Sequence, residues 1–163
     1  MPFPFTFSGS FRIATTADIV ETQELLEIAI VEWLEASWAH GIVKQENRIG
    51  FKADVSRLVT GWKLPRAINL TGSGEILLSA HRKEIVLAYR FRLIQLFILL
   101  TVLIPLLLGS IFFIAPNFSA IQATTILALV WVFLFGGHYL FANIYLPRAL
   151  RYIARDSTGG YIY

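Results

Sequence analysis

Residues 93–147 read LIQLFILLTVLIPLLLGSIFFIAPNFSAIQATTILALVWVFLFGGHYLFANIYLP, and none of them is Lys, Arg, Asp or Glu. A helix that crosses a bilayer needs about 20 mostly apolar residues, so this run has the length of two spans and a turn. Pro116-Asn117 breaks the run, and Ser119 with Gln122 has the spacing of a capping box that opens a second helix. The expectation is a two-helix transmembrane hairpin: helix 1 over 91–116, an extracytoplasmic turn at 117–119 and helix 2 over 120–147. Pro105 falls inside the first span, where neighbouring helices compensate for the backbone hydrogen bond it removes.

The flanking charges orient the hairpin. Arg82, Lys83, Arg90 and Arg92 precede it, Arg148, Arg151 and Arg155 follow it, and the turn has no charge. The positive-inside rule then places both termini in the cytoplasm, with the basic set against anionic headgroups at the membrane surface. The opening Met-Pro-Phe-Pro-Phe lacks the basic and sustained apolar regions of a secretory signal peptide. Residues 148–163 read as a basic interfacial tail lying flat on the lipid, arginines on one face and Leu150 and Ile153 on the other, frayed from Asp156 onward.

Residues 1–90 form the remainder, enough for one modest hydrophobic core. Phe3, Phe5 and Phe7 alternate as in a strand with one buried face, with a bulge or bend at Ser8-Gly9-Ser10 before Phe11 and Ile13. Asp18 and Glu21 mark the start of a helix that should run to His40 and stop at Gly41. Ile19, Leu26, Ile30, Trp33 and Leu34 share the face that packs on a sheet, and Glu21, Glu24, Glu27, Glu32 and Glu35 share the other. Ile42–Glu46 and Arg48–Ala53 read as a hairpin turning at Glu46-Asn47. Asp54 caps a helical turn, Trp62 lies in a loop, and Ala67–Leu70, Gly74–Ala80 and Glu84–Phe91 read as strands. The fold class is α+β: a small antiparallel sheet packed by one long amphipathic helix (β-α-β-β-β-β), then the hairpin.

Composition removes several kinds of chemistry. There is no Cys, which excludes disulfides, thiol catalysis and Cys-based metal centres. Acid and base nearly balance in residues 1–92, unlike the basic stripe of a nucleic-acid binder. Thr71-Gly72-Ser73-Gly74 is glycine-rich, but no Lys-Ser/Thr follows and it leads into a strand, unlike a phosphate-binding loop. His40 and His81 lie far apart without a carboxylate or nucleophile at catalytic spacing. No enzymatic activity, metal or cofactor is expected.

Three other groupings carry the functional expectations. His138 is read as the only ionisable side chain within the spans, and folding the hairpin brings it with Asn143 toward Gln95 as an intramembrane polar cluster. The plainer account of the three is hydrogen bonding between helices. Ala120, Thr124, Ala128, Val132 and Gly136 recur every four residues, a spacing that permits close helix packing. Glu24, Glu27, Glu35 and Trp38 make an acidic face with apolar interruptions, either solvated surface or a docking face for a basic or aromatic partner. The leading expectation is a membrane-anchored cytoplasmic binding or scaffold module that recruits another protein or assembles with copies of itself. The alternative is a homo-oligomeric pore gated by the domain, and a weaker third is an enzyme acting on a membrane substrate near His81.

Overall fold

The computed structural model describes residues 5–15, 17–37, 39–53, 72–81, 83–114, 119–159 and 161–162. The expected helical turn at Asp54, the loop with Trp62, the strand at Ala67–Leu70, and the side chains of Phe3, Trp38 and Arg82 lie outside these residues. Among the described residues the chain is α+β, with strands β1 (Thr6–Ala14), β2 (Ala39–Gln45), β3 (Arg48–Ala53), β4 (Ser73–His81), β5 (Glu84–Arg92) and the two-residue β6 (Tyr161–Ile162). Helix α1 (Ile19–Ala36) follows β1, and helices α2 (Ile94–Ile114) and α3 (Ala120–Thr158) follow β5. The sheet is antiparallel, ordered β2-β3-β4-β5-β1-β6.

Strand alternation decides what is buried. Phe7, Phe11 and Ile13 of β1, Ile49 and Phe51 of β3, Ile76 and Leu78 of β4, and Ile85, Leu87 and Phe91 of β5 all point to one face and are buried. Two glycines make room on that face. A Cβ at Gly74 would lie 2.5 Å from Phe51 and 2.6 Å from Phe91, and one at Gly9 would lie 2.7 Å from the ring of Tyr89. The β1–β5 register runs unbroken from Thr6↔Arg92 to Ala14↔Glu84, so the expected bulge at Ser8-Gly9-Ser10 does not form. Gly9 serves close packing against Tyr89 instead.

Helix α1 starts as expected: the Asp18 carboxylate accepts from the backbone N–H of Val20 and Glu21. Its end differs. The helix stops at Ala36 with Ser37 as cap, and Ala39 and His40 pair with Ala53 and Lys52 in the sheet. Gly41 (φ +57°) sits at the register shift between His40 and Val43, a strand bulge and not a helix cap. The ladder hydrogen bonds gained from β3 outweigh the weak local preference for two further helical residues.

The largest departure concerns the C-terminal residues. Pro147 does not end the second long helix, and α3 continues as one rod to Thr158, about 58 Å at 1.5 Å per residue. Leu146, Leu150 and Ala154, one turn apart, are fully buried beneath the sheet, and Ile153 packs beside them. Gly159 closes the helix in the left-handed conformation, and Tyr161–Ile162 pair with Ala14 and Ile13. Residues 148–159 and 161–162 are therefore a core helix and a strand of the domain, not a frayed interfacial tail, because burial of that stripe outweighs the break Pro147 invites. Together α1 and the C-terminal half of α3 cover the inner face of the sheet.

The N-terminal half of α3 lies antiparallel to α2. Phe97 meets Trp131 edge-on at 5.5 Å and Phe135 at 5.6 Å, and the Trp131 indole N–H donates to Thr101 at 3.1 Å. The capping box opens α3 as expected, with Ser119 and Gln122 bonded reciprocally. Among the described residues one helix, Ile121–Thr158, is long and apolar enough to cross a membrane, and the apolar stretch Ile94–Leu106 is shorter.

Candidate functional site

No other described element packs on the outer face of the sheet, and its rows follow from the pairing. Nearest the start of α2 the row is His40, Lys52, Ser73, Arg92 and Thr6. The next is Val43, Gly50, Glu75, Arg90 and Ser8, and then come Gln45, Arg48, Leu77, Ala88 and Ser10. Farther still lie Ser79, Val86 and Arg12, and finally His81, Glu84 and Ala14. Positive charge gathers at the end nearest the helices, because β3 contributes Arg48 and Lys52 on the same parity as Arg90 and Arg92 of β5. Among the described residues one carboxylate pairs with them: Glu75 holds Arg48 at 2.9 Å and Arg92 at 3.4 Å. Gly50 has no side chain between Arg48 and Lys52, which leaves a hollow of about 290 Å³ bordered by Lys52, Ser73, Glu75 and Arg92. At the other end Arg12 and Glu84 face one another at 3.6 Å and cancel.

The expected basic collar is spread over this axis. Arg90 and Arg92 stand where β5 enters α2, with Leu93 alone between strand and helix. Lys83 stands at the opposite end of β5, nine residues or about 30 Å from Arg92. Arg148, Arg151 and Arg155 climb α3 in the same direction, and the Arg151 guanidinium lies 5.7 Å over the ring of Phe11. That contact ties Arg151 to the domain wall. Residue spacing could not show which basic residues share an end, since that depends on strand register.

On α1, Glu24 and Glu35 are exposed, whereas Glu27 is buried. Its carboxylate takes Lys44 of β2 at 2.6 Å and a hydrogen bond from Gln23 at 3.1 Å, and Gln23 also donates to Asn47. The Glu27 carboxylate, by hydrogen bond and by charge, raises the Lys44 ammonium above its ordinary value of 10.5. Glu27 thus clamps the helix to the β2–β3 hairpin and leaves the outward acidic face. Outward on the helix are Val20, Glu21, Glu24, Leu25, Ile28, Glu32, Glu35 and Ala36. Leu25 is 48% and Ile28 47% exposed, an apolar strip bordered by acids.

The three polar residues of the hairpin do not meet. The His138 ring bonds the carbonyl of Leu134 on its own helix. Gln95 lies against Gly72, and Asn143 is exposed. The pairing of Phe97 with Phe135 and of Thr101 with Trp131 places His138 level with Ile94, at the domain end of the hairpin. The small-residue ridge faces away from α2: Thr124, Ala128 and Val132 are exposed, and nothing approaches a Cβ built on Gly136. Ala120 opens the helix, and its side chain is outside the description. The contact between helices is aromatic instead, through Trp131 and Phe135 against Phe97.

His40 and His81 stand at opposite ends of the outer face, and among the described residues no nucleophile or carboxylate pair converges on either. No group of three His, Asp or Glu residues gathers as metal ligands would among the described residues. No protein family, curated protein or solved structure matches the chain.

Proposed function

We propose that this chain is a two-span membrane protein whose domain sits on the cytoplasmic side and binds another protein without catalysis. The observation that carries the membrane reading is a bare apolar stripe. Ile94, Ile98, Val102 and Leu106 lie exposed one turn apart on α2, and Ile121, Leu129, Val132, Phe133 and Leu140 are exposed on α3. Soluble monomers rarely leave a contiguous apolar patch of more than a few hundred Å², and lipid is the solvent that suits this one. The 21 residues of α2 extend about 31 Å, matching a hydrocarbon core of about 30 Å. The uncharged turn and the basic residues of the domain orient the hairpin by the positive-inside rule.

Tethering confines the domain to a surface and raises its effective concentration for a membrane-associated partner. The outward strip of α1 suits a basic or apolar surface on that partner. The exposed ridge of Thr124, Ala128 and Val132 favours a second reading, in which copies assemble side by side through α3 and the hairpins line a conduit.

The chain has no Cys, so single cysteines report topology directly. In sealed vesicles an impermeant maleimide should label Ser10→Cys from the cytoplasmic side, Ser119→Cys from the other, and Val102→Cys from neither. Labelling of Ser119→Cys and Ser10→Cys from the same side refutes the hairpin. For the partner, Glu24→Lys with Glu35→Lys should cut cross-linked recovery about tenfold, the effect of ~1.4 kcal/mol. Unchanged recovery removes α1 as the docking face. A ring of several copies in lipid-preserving extraction favours the conduit.

A further inference from the structure

We infer that the hairpin end of the outer sheet face binds the phosphate of an anionic lipid headgroup, with the hollow over Gly50 as the seat, Arg48, Lys52 and Arg92 as the cations that border it, and Arg90 beyond Glu75 in the same row adding to their field. The inference rests on the two-span reading and adds a specific site to it.

Charge is distributed along the face by distance from the hairpin. The three rows nearest α2 carry Arg48, Lys52, Arg90 and Arg92 against Glu75, a net positive charge of three. The two far rows carry Arg12 and Glu84, which pair with each other, and Lys83 in the turn beyond them adds one positive charge, against three at the hairpin end. A face shaped for solubility alone has no reason to concentrate one sign at one end. An anionic layer at that end supplies the reason, and the headgroups of the leaflet that the hairpin enters are such a layer.

Reach agrees with this placement. Arg92 precedes Ile94, the first residue of α2, by two positions, and Lys52 pairs with Ser73 in the same row. Successive rows are about 7 Å apart, so Arg90 is one row farther and still within the length of an arginine side chain. Such side chains lie along apolar surface and extend their charge to the interface. Glu75 engages one guanidinium nitrogen each of Arg48 and Arg92, and both side chains are about half exposed; arginine's fork suits phosphate oxygens. Lys52 has no carboxylate partner among the described residues and supplies a mobile point charge. Gly50 keeps the seat open, since its place in the row would otherwise hold a side chain between the cations.

The test uses the full chain in neutral detergent with equal amounts of phosphatidylglycerol and phosphatidylcholine, the retained lipid being counted by native mass spectrometry. The wild type should retain phosphatidylglycerol preferentially. Lys52→Gln with Arg90→Gln, neither of which breaks an ion pair to Glu75, should lower that preference about fivefold per charge removed. Arg12→Gln with Lys83→Gln removes equal charge at the far end and should leave it unchanged. Equal retention of both lipids by the wild type overturns the proposal, as does the same loss in both double variants. Displacement of the lipid by millimolar inorganic phosphate also overturns it, since the ligand is then a free anion. A Val102→Cys version in vesicles separates the two readings. If this cysteine stays shielded while lipid preference is absent, the headgroup site falls and the tether stands. If it labels from water, both fall.

Discussion

Leu150→Ala is the most discriminating substitution in this chain, because two accounts of residues 148–163 give it different consequences. In the structure Leu150 is fully buried, with Leu146 one turn before it and Ala154 one turn after equally buried. Removal of its isobutyl end leaves a void between the helix and the sheet. Leucine-to-alanine changes in cores cost about 2–5 kcal/mol, more where neighbours cannot collapse inward. Here one neighbour is Ala154, already at its smallest, and the strands opposite are fixed by a continuous ladder from Thr6 to Ala14. A loss of about 3 kcal/mol is expected. With a urea dependence of about 1.5 kcal/mol per molar, the midpoint should fall by about 2 M.

The assay is pulse proteolysis of the full chain in bicelles across a urea series, which reads the equilibrium population of the opened domain. Tyr152→Ala is the internal control. That side chain is 71% exposed two residues away, and its loss should change stability by no more than about 0.5 kcal/mol. Equal midpoints for the two variants would refute the view that α3 is the floor of the domain and restore a tail lying on lipid.

Gly74→Ala should be as damaging as a cavity. The added methyl meets Phe51 at 2.5 Å and Phe91 at 2.6 Å, and both rings belong to the aromatic row with Phe7, so denaturation should report a loss of about 1–3 kcal/mol. Alkaline pH should destabilise the domain through two groups. Lys44, held protonated by Glu27, contributes stability that is complete below its ordinary 10.5 and lost as pH rises through its higher folded value. Tyr89, raised from its ordinary 10.0 by burial and only partly offset by Arg151, has the same sign: its neutral form is the one the fold accommodates. A urea midpoint constant to about pH 10 and falling above it is expected, and Lys44→Met should flatten part of that fall.

Much of the architecture was legible in the residues before any coordinates. Aromatic and β-branched alternation marked β1, β3, β4 and β5, Asp18 marked the start of α1, and Ser119 with Gln122 marked that of α3. These are local signals, each set by backbone geometry within a few residues. Legibility failed where a distant partner decided. Glu27 has the helical position of an outward acid until Lys44 and the β2–β3 hairpin close over it. His40 looks helical until Lys52 pairs with it. Gln95, His138 and Asn143 look adjacent on a folded hairpin, but their rotation about each helix axis follows from the aromatic contact, and it turns them apart.

The candidate lipid site shows the same division. The cations on β3 and β5 are visible in the sequence as alternate residues, yet their common row depends on Lys52 pairing with Ser73 and Ser73 with Arg92. Composition and periodicity by themselves determined an α+β chain with a long uncharged apolar run, because those properties reside in single elements. Only the tertiary structure decided that the second long helix continues into the domain core, and that one end of the open sheet face collects the positive charge. Register and side-chain burial are relations between elements far apart in the chain, and no local pattern encodes them.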